Sequence, residues 1–377
     1  MIAREWTRIG ATGFGGPPAH IALLRELVVQ RMGWMDASSF EDANAACGLL
    51  PGPASTQLAI LCAYRVAGRT GALVGGLGFI VPAVAIIIPL SAVFLAQAPP
   101  RWVVGAGAGA GAAVAAVAVH AARGLLAPSF QRVRGDAPRR TRWALYLLSG
   151  TVAAVLTGPY LVIVLLGCGA VELLAQRRRW ARPDGGEKAA GLLIPASVSS
   201  GGVGALAWTA LKVGALSFGG GFVIIPLMQG DAVHAYHWMT NAQFLNAVAL
   251  GQVTPGPVVA TVAAVGYAAY GVPGALLAAV VAFAPSFCFI LLGGRRFERV
   301  RQNPRPRAFL AGAGPAAIGA ILGAAVTLTA ALQEGWQFGL LAAAAVALLA
   351  ANRGVVETLL GAAAVGVILS LAGAPLP

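Results

Sequence analysis

Residues 48–57 read GLLPGPASTQ, and residues 252–261 read QVTPGPVVAT. Each Pro-Gly-Pro breaks an apolar run, 40–66 or 241–268, near its middle. Proline lacks the N–H that a continuous helix needs and clashes with the preceding turn. An unwound backbone inside a bilayer is tolerated only where protein buries it or a watery cavity receives it. The two stretches therefore predict paired breaks at membrane depth, not two ordinary spanning helices.

The surroundings of the two breaks are copies of each other. Phe14-Gly15-Gly16 recurs as Phe218-Gly219-Gly220, Trp34-Met35 as Trp238-Met239, Phe40 as Phe244, and Arg8 and Gly10 as Lys212 and Gly214, all at an offset of 204. After one deletion the offset is 203, pairing Tyr64, Gly68, Gly71-Ala72-Leu73 and Pro82 with Tyr267, Gly271, Gly274-Ala275-Leu276 and Pro285. A constant offset over so many features marks a duplication. The expected halves are 1–175 and 203–377, joined by a basic linker at 176–202.

Composition sets the solvent. Of 377 residues, 58% are hydrophobic and 10% charged, against about 25% charged in a soluble domain. Mean hydropathy is +0.78, and many apolar runs approach or exceed the roughly 20 residues that cross a bilayer. A secreted disulfide scaffold, a disordered chain and an ordinary soluble enzyme are excluded. Cys47, Cys62, Cys168 and Cys288 sit in apolar stretches without ligand spacing and read as small buried hydrophobes. No secretory leader is recognisable in MIAREWTRIG, so a bacterial inner membrane is the expected location, with multiple passes.

The net charge of +13 is not a nucleic-acid footprint. Segments 123–142, 176–190 and 295–307 hold six, five and six basic residues, 17 of the 26. Such loops set topology from the cytoplasmic side. If every apolar run crossed, 176–190 and 295–307 would face opposite sides. If the two Pro-Gly-Pro runs instead dip in and return, all three segments face the cytoplasm, together with Arg25, Arg31, Arg65, Arg69 and Arg353. Arg4, Arg8 and Arg101 are then left outside. The expected fold is an all-α polytopic membrane protein of two inverted repeats. It has about ten transmembrane helices, re-entrant Pro-Gly-Pro segments and both termini outside. Inverted repeats are common among secondary transporters.

The chemistry should sit at the breaks. A helix restarting after Pro17, Pro53 or Pro257 presents free N–H groups and a partial positive charge, and adjacent glycines let an anion approach the backbone. The candidate substrate-binding set is Arg8, Phe14, Gly15, Gly16, Pro17, His20, Pro51, Gly52, Pro53 and Thr56 in the first half. In the second it is Lys212, Phe218, Gly219, Gly220, Gln252, Thr254, Pro255, Gly256 and Pro257. Arg8 and Lys212 supply charge, the latter deep in an apolar run where a cation is expensive. Hydroxyls and amides donate to oxyanions. Glu26 and Asp231 are candidates for carrying a coupled proton. His120, ending an apolar run beside a basic loop, reads as an interfacial residue. No metal-ligand set, cofactor motif, G-x-S-x-G nucleophile or phosphate-binding P-loop appears.

FGGPPAH at 14–20, Trp34, LPGP at 50–53 followed by STQ, KVGALSFGGG at 212–221, Trp238 and TPGP at 254–257 together resemble the chromate ion transporter family, in its long form with two homologous halves. The first half departs from the family pattern, with Gly48 where Gln252 stands in the second half and Ala63-Tyr64 where the second has Gly266-Tyr267. The resemblance implies export of chromate from the bacterial cytoplasm. Sulfate, a tetrahedral dianion of similar shape, is the alternative substrate, in either direction. A membrane enzyme or assembly factor acting on lipid is the alternative from another class; it calls for a catalytic dyad that the sequence does not offer. The expected partners are the oxyanion and membrane lipid, with a homo-oligomer compatible and nucleic acid not expected.

Overall fold

The computed structural model describes residues 1–96, 98–157, 160–180, 202–217, 222–293 and 304–377. Among these residues the chain forms fourteen α-helices and no strand. The first half contains α1 (Ile2–Thr12), α2 (Gly16–Arg25), α3 (Ala37–Cys47), α4 (Ala54–Phe94), α5 (Arg101–Gln131), α6 (Ala137–Leu156) and α7 (Leu161–Trp180). The second contains α8 (Val203–Leu216), α9 (Ile224–Gln229), α10 (Asn241–Val253), α11 (Val262–Gly293), α12 (Pro304–Ala330), α13 (Gly335–Leu349) and α14 (Val355–Leu371).

The internal repeat is conformational as well as textual. π-Helical turns follow α2 at Glu26–Arg31 and α9 at Gly230–Ala235, at the sequence offset of 204. Asp36 and Thr240 occupy equivalent N-caps, each accepting from a backbone N–H three residues on. α4 and α11 share one sharp reversal: Ala67 and Gly68 have φ of −143° and 60°, Tyr270 and Gly271 −146° and 63°. The left-handed position falls on glycine both times, where no Cβ opposes it. The reversal folds each helix onto itself. Gly75 packs on Ala63 and Gly274 on Gly266, whereas a straight helix would hold residues 63 and 75 about 18 Å apart.

Both broken segments of the first half return to the end from which they start. Arg65 Nη1, beyond the Pro-Gly-Pro break, donates to the Ser39 carbonyl at 2.9 Å at the start of α3. The 40–66 run is thus a re-entrant hairpin, as its charges predicted. The first run behaves the same way, because Glu5 of α1 pairs with Arg31 at the end of the α2 segment. Met1, Ile2, Trp34, Val66, Ala67 and Thr70 surround one hollow at this end, and Arg123 Nη1 donates to the Leu349 carbonyl there. At the opposite end Phe94, Pro99, Thr240, Ala331, Gln337 and Pro377 surround another hollow, and Arg101 and Trp336 donate to the carbonyls of Ala374 and Pro375.

This geometry corrects the expected side of the N-terminus. Residues 6–25 do not run through the bundle. Among the described residues the 69–94 arm of α4, the 272–293 arm of α11, and α5, α6, α7, α12, α13 and α14 run end to end. The N-terminus and Arg4 accordingly lie with the arginine-rich loops and not opposite them. Arg101 is the one described basic residue at the far end. Hydropathy could not separate a run that returns from one that crosses, since both need an apolar surface.

The two halves are inverted. Gly150 of α6 packs on Ala316 of α12, and Ala154 on Gly323, so α6 and α12 run parallel. α5 and α6 are joined by residues 132–136 and run in opposite directions, so α12 opposes its repeat partner α5. Gln176 lies at the arginine-rich end and Gly202 at the other; residues 181–201 of the expected 176–202 linker lie outside the described residues.

Packing depends on small residues. Gly105 and Gly109 of α5 meet Gly366 and Ala362 of α14, backbone to backbone, the close approach that helices in lipid use in place of a hydrophobic drive. Large apolar side chains point outward instead, among them Leu148, Val280, Leu292 and Ile368 at 58–83% exposure. Such a continuous apolar exterior suits lipid contact, and four helices are long and apolar enough to cross a membrane. A methyl group at Gly150 would overlap the Ala316 carbonyl. Gly150→Val should therefore destabilise by at least about 1–3 kcal/mol. The test is the melting temperature of detergent-solubilised protein; an unchanged value would contradict the α6–α12 packing.

Candidate functional site

Three of the four breaks meet around one cavity of about 400 Å³. Gly15, Gly16, Pro17 and Pro18 line it from the first break, Gln252, Thr254, Gly256 and Val258 from the second Pro-Gly-Pro, and Ala54 from the first. His120 and Gly124 of α5 and Val355 and Val356 of α14 complete the wall toward the arginine-rich end. Phe222 contributes next to the FGGG break; Phe218, Gly219 and Gly220 lie outside the described residues.

The loops hold one another in place across the repeat boundary. Gly256, at φ 95°, donates its N–H to the Gly13 carbonyl at 3.0 Å. The gap there is narrow: a Cβ on Gly256 would sit 2.9 Å from Ala83 Cβ and 3.2 Å from the Gly10 carbonyl oxygen. Gly52, at φ 113°, repeats this against the other half, with a Cβ falling 3.0 Å from the Gly214 carbonyl oxygen. Each loop is also tied to its own helix start. Gln57 Nε2 donates to the Pro51 carbonyl at 2.6 Å, and its repeat partner Thr261 donates to the Val258 carbonyl at 2.7 Å. By residue type Gln57 and Thr261 are possible oxyanion donors at the breaks; here both donate to loop carbonyls and fix the loop shape.

Polar groups without protein partners concentrate at these breaks. They are His20 Nδ1, Thr56 Oγ1, Gln57 Oε1, Ser217 Oγ, Gln252 Nε2 and Ser286 Oγ, all buried. Native interiors leave few polar atoms unpaired, and such atoms tend to mark functional positions. Gln252 combines this with the cavity lining: its amide donor faces no protein acceptor. The Thr254 hydroxyl is already committed, donating to the Leu250 carbonyl at 2.9 Å, so its oxygen can still accept but its proton is used.

The α2 N-terminus opens on the cavity with Gly15 in a left-handed N-cap. Pro17 and Pro18 carry no N–H, so the first turn offers the Gly16 and Ala19 amides and the helix dipole, not a full set of donors. His20 Nε2 lies 2.9 Å from the same Gly13 carbonyl that receives Gly256, and its ring stands edge-on to Phe79. His20 therefore braces the loop and does not line the cavity. Pro51, Gly52, Pro53 and Thr56 form the first loop beside Gly214 and Ser286; of that segment only Ala54 lines the cavity. Pro255 and Pro257 flank Gly256 in the second loop, and Phe14 is half exposed.

The expected charges are elsewhere. Arg8 lies in a separate groove with Glu5, Thr12, Glu26 and Arg31. Lys212 is buried, but its Nζ sits 2.5 Å from Asp231, whose Oδ2 also accepts from the Thr209 hydroxyl at 2.7 Å. The Trp208 ring covers the ammonium at 5.8 Å. The lysine's charge is thus balanced internally, and among the described residues no lysine, arginine or carboxylate lines the cavity. His120, read from sequence as an interfacial residue, is part of the cavity wall. No local pattern signals this, because α5 and α14 meet the breaks only in the folded bundle.

Removing one partner of a buried ion pair leaves the other uncompensated, which costs about 3–5 kcal/mol. Lys212→Gln should therefore lower stability by that order, while Lys212→Gln combined with Asp231→Asn should recover most of it. Melting curves of the three proteins in one detergent test this; a double variant no more stable than the single would show that the pair is not the determinant.

Comparison with known proteins agrees with this architecture. The family model described as "Chromate transporter" matches residues 1–173 and 204–369. A "Chromate transport protein" of Cupriavidus metallidurans is 32% identical, covering 98% of this chain and 92% of that protein. One of Pseudomonas aeruginosa is 30% identical over 85% of this chain and 79% of its own length. An "Uncharacterized transporter" of Methanocaldococcus jannaschii is 28% identical over 80% and 77%. No solved structure matches. With a family match over both halves and relatives aligned along nearly the whole chain, this protein belongs to the chromate transporter family.

Proposed function

We propose that this protein is a secondary transporter that exports chromate across a bacterial inner membrane. The observation that carries the reading is the cavity itself: broken loops from both repeats converge on it, and Gln252, whose buried amide nitrogen has no protein partner, is among the residues that line it. A tetrahedral oxyanion suits such donors, and 400 Å³ leaves room for several waters at about 30 Å³ each. Relatives named as chromate transport proteins support chromate as the substrate. Sulfate shares its shape and charge and is the natural competitor.

The positive-inside rule assigns the arginine-rich end to the cytoplasm, which makes the cavity inward-opening and the linker at 176–202 cytoplasmic where it leaves the first repeat. The repeats 1–175 and 203–377 would then exchange access by rocking about the crossed loops. With the inside negative, each negative charge leaving gains about 2.3 kcal/mol per 100 mV, so a dianion moves outward without ATP. Asp231, paired with Lys212, and Glu26, in the groove of Arg8, are the acids nearest the breaks and the candidates for coupling.

Proteoliposome flux with labelled chromate, competed by sulfate and molybdate, tests the function. Gln252→Leu should raise the half-saturating chromate concentration roughly tenfold, the effect of losing one hydrogen bond to a charged group. Absence of chromate flux in liposomes containing folded protein would overturn the substrate; saturation unchanged by Gln252→Leu would overturn the site. Single-cysteine labelling checks sidedness. A probe at Arg4 or Arg307 should react only from the cytoplasmic face, and one at Arg101 only from outside.

A further inference from the structure

A second pocket lies apart from the cavity, where the α5–α6 connection, α6, α7 and α12 meet at the arginine-rich end. Arg132, Arg139 and Arg307 line a pocket of about 200 Å³ with Trp143, Tyr146 and Glu172. Arg132 and Arg139 flank the α5–α6 connection, and Arg307 comes from α12 in the other half. Arg132 and Arg307 have no acidic partner among the described residues. Arg139 Nε is buried and makes no hydrogen bond, although Asp136 Oδ2 lies 3.2 Å away.

The carboxylate in the pocket does not neutralise them, because it is already saturated. Glu172 accepts from Arg142 Nε at 2.7 Å and Nη2 at 3.2 Å, from the Tyr146 hydroxyl at 3.0 Å and from Gln176 at 2.8 Å. Glu172 and Arg142 thus form a closed pair that builds the pocket wall. Of the remaining guanidiniums, Arg139 has Asp136 beside it, while Arg132 and Arg307 converge on the pocket without an acidic partner among the described residues. Topology alone asks only that positive charge lie on this side; it does not require three guanidiniums to share a concave site. An anion between them would remove their mutual repulsion and accept several charge-assisted hydrogen bonds.

The surroundings indicate the form of the anion. Trp143 packs against Phe130 at a centroid separation of 5.2 Å, with its Nε1 donating to Ser129. This arrangement of an apolar ring with a polar tip suits the membrane interface. Toward the bundle centre, α6 and α7 expose Leu145, Leu148, Val171 and Leu174, surfaces against which acyl chains can lie. We propose that this pocket binds a phosphate group, and that its source is the headgroup of an anionic phospholipid in the cytoplasmic leaflet.

The full-length protein reconstituted with phosphatidylglycerol and phosphatidylcholine tests this through lipid retention measured by native mass spectrometry. Wild type should prefer phosphatidylglycerol, and replacing Arg132, Arg139 and Arg307 together by Gln should reduce that preference about tenfold. Arg4, Arg25 and Arg69 replaced by Gln remove the same charge from the same end, outside the pocket, and should change it less than twofold. Arg307→Gln alone, at an exposed position, should already lower it severalfold, with an unchanged melting temperature as the folding control. Equal losses in the two triple variants would overturn the site, showing diffuse attraction only. Displacement of the lipid by millimolar inorganic phosphate in wild type, and not in the pocket variant, would support the phosphate site but overturn the lipid as its occupant. Chromate flux is not the readout, so failure of this proposal is distinct from failure of the transport reading.

Discussion

Everything in this fold follows from the need to satisfy backbone that is not helical inside a membrane protein. The described breaks, at Gly13–Gly16, Pro51–Pro53 and Thr254–Pro257, expose peptide groups that lipid cannot solvate, and each exposed group left unpaired costs several kcal/mol. The chain answers by docking the breaks of one repeat on helices of the other. Gly256 donates to Gly13 across the repeat boundary, and Gly52 comes within contact of the Gly214 backbone. A single repeat would have nothing to dock on. The duplication and the inversion are therefore parts of one solution, since a two-fold relation lets each loop serve as the other's partner.

The same requirement explains the composition of the helices around the breaks. For loops to meet near the bundle centre, the enclosing helices must approach closely, and α5 is lined by buried Gly and Ala from Gly105 to Ala118. Volume lost inside reappears outside as large aliphatic side chains. The result inverts the hydrophobic gradient of a soluble protein without loosening the packing, because contact in lipid comes from dispersion and not from expulsion of water.

Electrostatically the cavity is bare of lysine, arginine and carboxylate side chains among the described residues. The cation expected there, Lys212, is paired with Asp231 and covered by Trp208, and the wall is loop and helix-start backbone with Gln252 among its side chains. A site that bound a dianion through two unpaired cations would hold it tightly, whereas conduction through a membrane needs an ion that can also leave. On the transport reading proposed above, fixed dipoles from a helix start suit that compromise.

The amino-acid sequence by itself determined the class of protein, the duplication, the position of the breaks and the preference of basic segments for one side. Each of these is written in local pattern: apolar run length, a constant offset, proline and glycine in a helix, arginine counts between runs. It also located the re-entrant 40–66 hairpin, because arginines at both edges had to share a side. Tertiary structure decided what local pattern leaves open. Residues 6–25 return instead of crossing because Glu5 meets Arg31, and a hydropathy run looks the same in either case. Lys212 is balanced instead of free because α8 folds back on the segment carrying Asp231, nineteen positions away and on no shared helix face. His120 reaches the cavity because α5 passes behind the breaks. Partners are chosen by the fold, and a charge or a polar group has no defined environment until its partner is known.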